Sequence, residues 1–294
     1  MSPSRIKLSM LLCMLTFIAL SYAEDSQVAP ILVIHGVTAT CNEGRVKSIG
    51  EHYNTYSHCY PIGGDDAKTL SVLYNIRVQG KILCHKIHSN ENFKDGNFSI
   101  LAFSQGAIIA KYIIGYCPLK HPVRSFVAFG GPNMGVSYFP HYPADTWIGA
   151  ISHIIINRLA YWWVAQWFIA PADYWRVPNN PQAFLEGSRF LADATNEINF
   201  NQTMKDLWLS LKFARFVKWD DDSVIIPRES SWWGQYTTDY KIISRFDTEV
   251  YQKDLVGIRT LEEEGRADFI NIPGDHMQVS HEQVNQLTEV AFLK

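Results

Sequence analysis

A serine flanked by small residues follows an apolar run in the first half of the chain. Residues 98–103 lead into Ser104, and a helical pattern of apolar side chains begins directly after it. Ala102 and Gly106 stand two positions on either side of the serine. Small residues there permit a tight strand-to-helix turn that lifts a serine hydroxyl above the end of a sheet. The pattern predicts a nucleophilic serine on a turn of the nucleophile-elbow type.

A serine nucleophile needs a histidine to accept its proton and an acid to orient that histidine. After a nucleophile elbow, the acid precedes the histidine in the chain. His276 lies between a predicted strand and the last predicted helix, and it is the expected base. Asp220, Asp221 and Asp222 follow another predicted strand, and the residues alone leave the choice among them open. The alternative is that this acidic run is only a solvated turn. Asp275, next to the expected base, is expected to be a loop carboxylate rather than the acid that orients the histidine.

Two backbone N–H groups should stabilise the negative oxygen that forms when the serine attacks a carbonyl. One is expected from Gln105, the residue after the nucleophile. The other is expected from Val37, which follows His35-Gly36 at the end of the first predicted strand. A glycine there lets the backbone approach a substrate closely. His35 itself is expected to be a hydrogen-bonded loop residue without proton chemistry.

The composition of the chain excludes several other classes of protein. The chain has 294 residues and a net charge of −3, which argues against a nucleic-acid-binding protein. The ten histidines are scattered, so no metal site is predicted, and no glycine-rich phosphate loop is present. The proposed serine chemistry needs no cofactor.

The N-terminal residues 1–23 have the composition of a secretory signal peptide. Two basic residues precede an apolar run, and Ser21-Tyr22-Ala23 offers a cleavage site. An uncleaved membrane anchor is the alternative, but the run is short for a membrane span. No other stretch is long and apolar enough to cross a bilayer. Two sequons, at Asn97 and Asn201, could carry glycans, and Asn201 lies in the more polar surroundings.

Four cysteines remain after the signal peptide, and they allow three pairings. Cys84 and Cys117 lie on predicted helices before and after the nucleophile, which should flank the same part of the sheet. We therefore favour Cys84–Cys117, with Cys41–Cys59 as the remainder. Free buried thiols are the alternative, which is less common in secreted chains.

Apolar runs alternate with helical patterns along residues 24–294, which predicts one α/β domain with a mostly parallel sheet flanked by helices. The predicted strands are residues 31–34, 98–103, 125–129, 213–219 and 268–272, and the predicted helices include residues 70–88, 105–115 and 280–293.

Residues 133–212 break this rhythm and hold six of the nine tryptophans. They predict a largely helical insertion. Core packing is expected for most of the tryptophans. The alternative is that they line an apolar trough for a long acyl chain.

Several stretches resemble the palmitoyl-protein thioesterases, in that family's order and over nearly the whole mature chain. The matching stretches are residues 31–36, Phe103-Ser104-Gln105-Gly106, residues 129–136, Asp173-Tyr174-Trp175, residues 190–193, Asp222-Ser223-Val224-Ile225-Ile226-Pro227, residues 231–236 and Gly274-Asp275-His276-Met277-Gln278. The string after Asp222 and the Gly-Asp-His-x-Gln run are the specific ones. The resemblance is nearer to the lysosomal type 1 members, chiefly through Gly-Asp-His-Met-Gln.

The resemblance implies an α/β-hydrolase that removes palmitoyl and similar acyl groups from cysteine thioesters of S-acylated proteins or peptides. It assigns the nucleophile to Ser104, the acid to Asp222, the base to His276, and the oxyanion donors to Val37 and Gln105. It also supports Cys84–Cys117, a glycan at Asn201 and a lysosomal location, with secretion as the alternative. The helical insertion is expected to form the acyl-binding wall, because the loops at the carboxyl ends of the strands surround the active site in this fold.

Two other functions stay open at this point. One is an oxygen-ester lipase or carboxylesterase with the same three residues. The other is a non-catalytic lipid-binding protein that keeps the fold. The sequence does not indicate an oligomeric state.

Overall fold

Six parallel strands form the central sheet of the protein. The computed structural model describes residues 28–138 and 159–294. The predicted signal peptide and Trp147 lie outside these ranges. In spatial order the strands are β2 (Ser57–Cys59), β1 (Ile31–Ile34), β3 (Ser99–Phe103), β4 (Ser125–Phe129), β5 (Phe213–Trp219) and β8 (Ala267–Ile272). A separate antiparallel ribbon consists of β6 (Gln235–Tyr236) and β7 (Ile242–Ile243).

Helices cover both faces of the sheet. In chain order they are α1 (Glu43–Tyr53), α2 (Ala67–Leu73), α3 (Ile76–His88), α4 (Gly106–Tyr116), α5 (Trp163–Phe168), α6 (Ala170–Asp173), α7 (Pro181–Gly187), α8 (Leu191–Ala194), α9 (Gln202–Leu209), α10 (Glu249–Gln252), α11 (Ile258–Glu263) and α12 (His281–Phe292). Short 3₁₀ turns occupy Gly64–Asp66, Arg228–Trp232 and Arg245–Asp247.

The side chains of the central strands alternate between two apolar cores. Leu32 and Ile100 point to the core that contains α3, α4 and α9. Val33 and Leu101, the next residues along the same strands, point to the core under α1 and α12. Because both faces are covered, the inner strands read as continuous apolar runs rather than as alternating patterns. The predicted α/β class and the mostly parallel sheet are confirmed.

The predicted helix over residues 70–88 is two helices in the structure. α2 ends at Leu73, and α3 begins at Ile76. Asn75 lies between them, and its side chain accepts a hydrogen bond from the Val78 N–H at 2.9 Å. An asparagine at this position caps a new helix rather than continuing the previous one. The apolar spacing carried no sign of this interruption.

The chain between β4 and β5 contains five helices, α5 to α9, among its described residues. The expectation that most of its tryptophans pack in the core is wrong for the described ones. Trp175 and Trp208 are buried, but Trp162, Trp163 and Trp167 are 52%, 62% and 46% exposed. All three lie on or directly before the short helix α5, and they are exposed within the described part of the chain.

Two disulfides join elements around the sheet. Cys84 of α3 pairs with Cys117 at the end of α4, and Cys41 pairs with Cys59 of β2. These are the two pairings favoured from the sequence. Disulfides are typical of chains that fold in an oxidising compartment. Within residues 28–138 and 159–294, no helix has the length and apolar character needed to span a bilayer.

Candidate active site

Ser104 lies on a sharp turn between β3 and α4. Its φ is 52°, in the left-handed region that L-residues rarely adopt. Its N–H donates to the Phe129 carbonyl at 2.8 Å, which fixes the turn against β4. A Cβ on Gly106 would lie 2.5 Å from the Ile34 carbonyl oxygen, so only glycine fits there. The local conformation is that of a nucleophile elbow.

Three side chains from separate loops meet at this turn. His276 Nε2 lies 3.0 Å from Ser104 Oγ, and His276 Nδ1 lies 2.9 Å from Asp222 Oδ2. Ser104 follows β3, Asp222 follows β5 and His276 follows β8. Because all three strands are parallel, their carboxyl ends lie at one edge of the sheet, which is where ligands bind in such folds. Both distances are suited to direct proton transfer or hydrogen bonding.

Asp222 is distinguished from its acidic neighbours by burial and by its partners. Its side chain is fully buried, and the other oxygen, Oδ1, accepts the N–H groups of Val224 and Ile225 at 3.0 and 2.8 Å. Asp220 and Asp221 are exposed. The structure therefore joins the histidine to Asp222, the residue that the resemblance indicated.

Asp275 stabilises the loop that carries the histidine. Its carboxylate accepts the N–H and hydroxyl of Ser223 at 2.8 and 2.9 Å, and the N–H of His276 at 2.6 Å. The Ser223 N–H and then the His276 N–H lower the pKa of Asp275, so it stays ionised in mildly acidic solution. It connects the two loops that carry Asp222 and His276, as a structural loop carboxylate would.

The imidazole of His276 packs against an aromatic side chain. The ring of Trp219 lies 5.5 Å from it, edge to face. Gly130 completes the other side of this pocket, since a Cβ there would lie 2.9 Å from His276 Cε1 and 2.6 Å from Trp219. The histidine side chain is 9% exposed. Sequence reasoning missed both residues, although the Gly130-Gly131 pair after β4 was a sign of close packing.

The proposed oxyanion donors border the same turn. Among the described residues, neither the Val37 N–H nor the Gln105 N–H donates to a backbone carbonyl. The lack of a side chain at Gly36 lets the loop after β1 lie close to the serine, because a Cβ at this position would lie 3.0 Å from Ser104 Cβ. Two N–H groups that have no backbone acceptor among the described residues, next to a serine on such a turn, are the arrangement required to bind a negative oxygen.

His35 orients one of these donors. Its Nε2 accepts the Ile62 N–H at 3.2 Å, so its Nδ1 carries the hydrogen and donates to the Gly36 carbonyl at 2.9 Å. That carbonyl belongs to the same peptide group as the Val37 N–H. Burial lowers the pKa of His35, which keeps the ring neutral. The expectation that His35 is a bonded loop residue agrees with this geometry.

One cluster in the described residues has metal-ligand proximity, namely Cys84, His88 and Cys117. Both sulfurs belong to a disulfide, so they offer no thiolate. The two sequon asparagines are exposed. Asn201 Oδ1 accepts the Met204 N–H at 3.1 Å as the cap of α9.

A serine, a histidine and a buried aspartate in the order Ser104, Asp222, His276, at the carboxyl ends of parallel strands, define a serine hydrolase of the α/β-hydrolase class. The family model for palmitoyl protein thioesterase matches residues 30–276. The chain belongs to the palmitoyl-protein thioesterase family.

Curated relatives agree with the family model. Palmitoyl-protein thioesterase 1 of Caenorhabditis elegans is 30% identical over 97% of this chain and 98% of its own length. Lysosomal thioesterase PPT2-B of Xenopus laevis is 26% identical, over 83% of this chain and 85% of its own. Palmitoyl-protein thioesterase 3 of Dictyostelium discoideum is 26% identical over 90% of both chains.

Proposed function

We propose that this protein hydrolyses long-chain acyl thioesters, with S-palmitoyl proteins or peptides as substrates, through an acyl-enzyme on Ser104. The hydrogen-bonded series from Ser104 through His276 to Asp222 carries the proposal. The family membership supports the thioester as the bond that is cleaved. We propose Ser104 as the nucleophile, His276 as the base and Asp222 as the orienting acid.

In the first half of the reaction, His276 Nε2 takes the proton of the Ser104 hydroxyl, and the serine oxygen bonds to the thioester carbonyl carbon. The carbonyl oxygen becomes negative and is stabilised by the N–H groups of Val37 and Gln105. The intermediate then breaks its carbon–sulfur bond. The cysteine sulfur leaves with the proton from His276, and the acyl group stays on Ser104.

In the second half, water replaces the thiol. His276 takes a proton from the water, whose oxygen bonds to the acyl carbon. The ester bond to Ser104 breaks, and the serine oxygen recovers the proton from His276. Asp222 holds the hydrogen on Nδ1 throughout, so that Nε2 is free to accept a proton from the serine. All of these steps use the side chains and N–H groups of this chain.

The exposed aromatic segment near α5 is the proposed wall for the acyl chain. The Trp167 carbonyl accepts a hydrogen bond from Asn75 Nδ2 at 2.9 Å, which joins α5 to the turn between α2 and α3. Tyr174, just after α6, donates to Gln105 Oε1 at 3.0 Å. An apolar surface beside the nucleophile would hold an acyl chain, since each buried methylene contributes about 0.8 kcal/mol.

A comparison of two esters tests the reaction class. We expect a palmitoyl thioester of a cysteine peptide to be hydrolysed with a higher kcat/KM than the matched serine oxygen ester. Both substrates would share the peptide and the acyl chain, so only the leaving atom differs. A strong preference for the oxygen ester would instead assign the protein to the lipases and carboxylesterases.

Acyl chains of increasing length test the proposed wall. We expect kcat/KM to rise from octanoyl to palmitoyl thioesters, by up to about fourfold for each methylene that becomes buried. Trp167→Ala should flatten this rise. Phe200→Ala is the matched control, since Phe200 is an exposed aromatic (53%) in the loop before α9. An equally steep rise in Trp167→Ala and Phe200→Ala would exclude the segment as the wall.

The same proposal includes the location and organisation of the chain. We propose delivery to the lysosome through the secretory pathway, which suits a disulfide-bonded member of this family. Residues 24–294 would form the mature single domain, with the insertion at about residues 133–212, and Asn201 and Asn97 would be its glycan acceptors. Cell fractionation and glycosidase treatment of the expressed protein test these points.

A further inference from the structure

Ser71 bonds to both loops that carry the proposed oxyanion donors. It lies in α2 and is completely buried. Its hydroxyl oxygen contacts the loop after β1, and its carbonyl oxygen contacts the first residue after the nucleophile. The two loops are far apart in sequence, and one residue of a third element connects them.

The first contact fixes a strained residue. The Thr38 N–H donates to Ser71 Oγ at 2.9 Å. Thr38 has a φ of 54°, a conformation that β-branched residues rarely adopt and that the surrounding structure must hold in place. The hydroxyl hydrogen of Ser71 donates to the Lys68 carbonyl at 2.8 Å, which orients the oxygen toward Thr38. Since Thr38 directly follows Val37, this contact restricts the backbone beside the Val37 N–H.

The second contact fixes the residue after the nucleophile. Gln105 Nε2 donates to the Ser71 carbonyl at 2.8 Å. That carbonyl is available because α2 ends two residues later, so no helical N–H follows to occupy it. Gln79 Nε2 donates to the same oxygen at 3.0 Å, and the Gln105 side chain is buried. The Gln105 side chain is thus fixed, and the backbone N–H of the same residue is the second proposed oxyanion donor.

We propose that Ser71 is a positioning residue for the oxyanion hole, which sets the separation of the Val37 and Gln105 N–H groups. This inference rests on the proposed function, because it requires attack by Ser104 at a carbonyl. Donors that stabilise a developing charge must already be placed before the reaction. A single buried residue that bonds to both donor loops supplies that placement without touching the substrate.

Ser71→Ala tests the inference because it removes the acceptor of the Thr38 N–H. We expect kcat on a palmitoyl thioester to fall by about 10- to 100-fold, with KM changed less than about twofold. Affinity for a palmityl trifluoromethyl ketone should fall in parallel, since this probe forms a negative oxygen when Ser104 adds to it. Affinity for a thioether analogue, which forms no such charge, should not change.

Ser125→Ala is the matched control. Ser125 is also completely buried, and its hydroxyl has no hydrogen-bond partner among the described residues. Its replacement should leave kcat and both affinities unchanged. If Ser71→Ala does not fold, Ser71→Cys is the second variant. Its side chain is similar in size, and its sulfur is only a weak acceptor for the Thr38 N–H. The affinity for the ketone should then fall relative to the affinity for the thioether, as expected for Ser71→Ala.

Two results would overturn the inference. One is a Ser71→Ala enzyme whose kcat and ketone affinity match those of Ser125→Ala. The other is an equal loss of thioether and ketone affinity together with a lower Tm, which would mean that Ser71 only stabilises the fold. A Ser104→Ala variant separates these failures from failure of the proposed function. If Ser104→Ala still hydrolyses the thioester, the proposed mechanism itself is wrong.

Discussion

At the residue scale, burial and not the sequence pattern distinguishes Asp222 from the two aspartates that precede it. Asp220, Asp221 and Asp222 follow the same strand, and the sequence pattern alone does not rank them. Folding places only Asp222 against His276 and encloses its carboxylate with two N–H groups. The distinction depends on the direction of the chain after β5, which a local pattern does not contain.

Asp222→Asn should lower kcat by about four orders of magnitude, because an amide would hold the histidine in the wrong tautomer. Asp221→Asn is the matched control and should retain nearly full activity, since Asp221 is exposed and one position away. Steady-state kinetics on a palmitoyl thioester measure both. If Asp221→Asn is the more damaging change, the acid has been assigned to the wrong residue.

At the element scale, a buried carboxylate couples the insertion to the stability of the fold in acid. Asp173 ends α6, and its Oδ2 accepts the Ile76 N–H at the start of α3 at 2.6 Å. Its other oxygen, Oδ1, has no hydrogen-bond partner in the part of the chain that the structure describes. Burial raises the pKa of Asp173 to about 7, although Ile76, Arg77 and Arg189 act in the opposite direction.

A raised pKa of a carboxyl group favours the folded state at low pH. Between the unfolded pKa, about 4, and the folded pKa, only the folded chain keeps the proton, so this contribution to stability decreases as pH rises. Asp173→Asn removes this effect. We expect the free energy of unfolding of the variant to rise by about 2 kcal/mol relative to that of the natural protein as the pH is raised from 5 to 7. Urea unfolding at both pH values measures this, and parallel changes in the two proteins would contradict it.

The two disulfides should differ in their effect on activity. They close loops of 33 and 18 residues, and the entropy of these loops predicts a loss of about 3 to 4 kcal/mol of stability when either is removed. Cys41, however, lies three residues after Thr38, on the loop that carries Val37. The pair Cys41→Ser/Cys59→Ser should therefore lower kcat as well as stability, whereas Cys84→Ser/Cys117→Ser should lower stability with little change in kcat.

Kinetics and denaturant unfolding of both double variants test this difference. The Cys84/Cys117 pair serves as the control, because it joins α3 to α4 and leaves the loop after β1 untouched. Equal kcat values in the two folded variants would show that the Cys41–Cys59 bond does not hold the donor loop.

At the scale of the whole molecule, the inner strands are predictable and much of their surroundings is not. Strands β1, β4 and β5 lie where the apolar runs predict them, because a strand covered on both faces must be apolar throughout. The polar helix α1 and the three-residue edge strand β2 have no such signal. The contact of Ser71 with Thr38 spans 33 positions and depends on where two loops meet. The exposure of Trp162, Trp163 and Trp167 depends likewise on how the described elements pack, which a local pattern does not contain.

The convergence of the elements that carry the proposed catalytic residues was predictable for a related reason. A parallel sheet brings the carboxyl ends of its strands to one edge, so residues after β3, β5 and β8 converge whatever their separation in sequence. The sequence and the family resemblance indicate the three residues. The folded chain adds their distances, the burial of Asp222 and the contacts that fix each loop.

Trapping the acyl-enzyme tests the central proposal most directly. The protein would be mixed with a palmitoyl thioester, quenched in acid within one turnover and digested for mass spectrometry. We expect one palmitoyl group on the peptide that contains Ser104, and none in Ser104→Ala. A palmitoyl group on another residue, or thioester hydrolysis by Ser104→Ala at the rate of the natural protein, would contradict it.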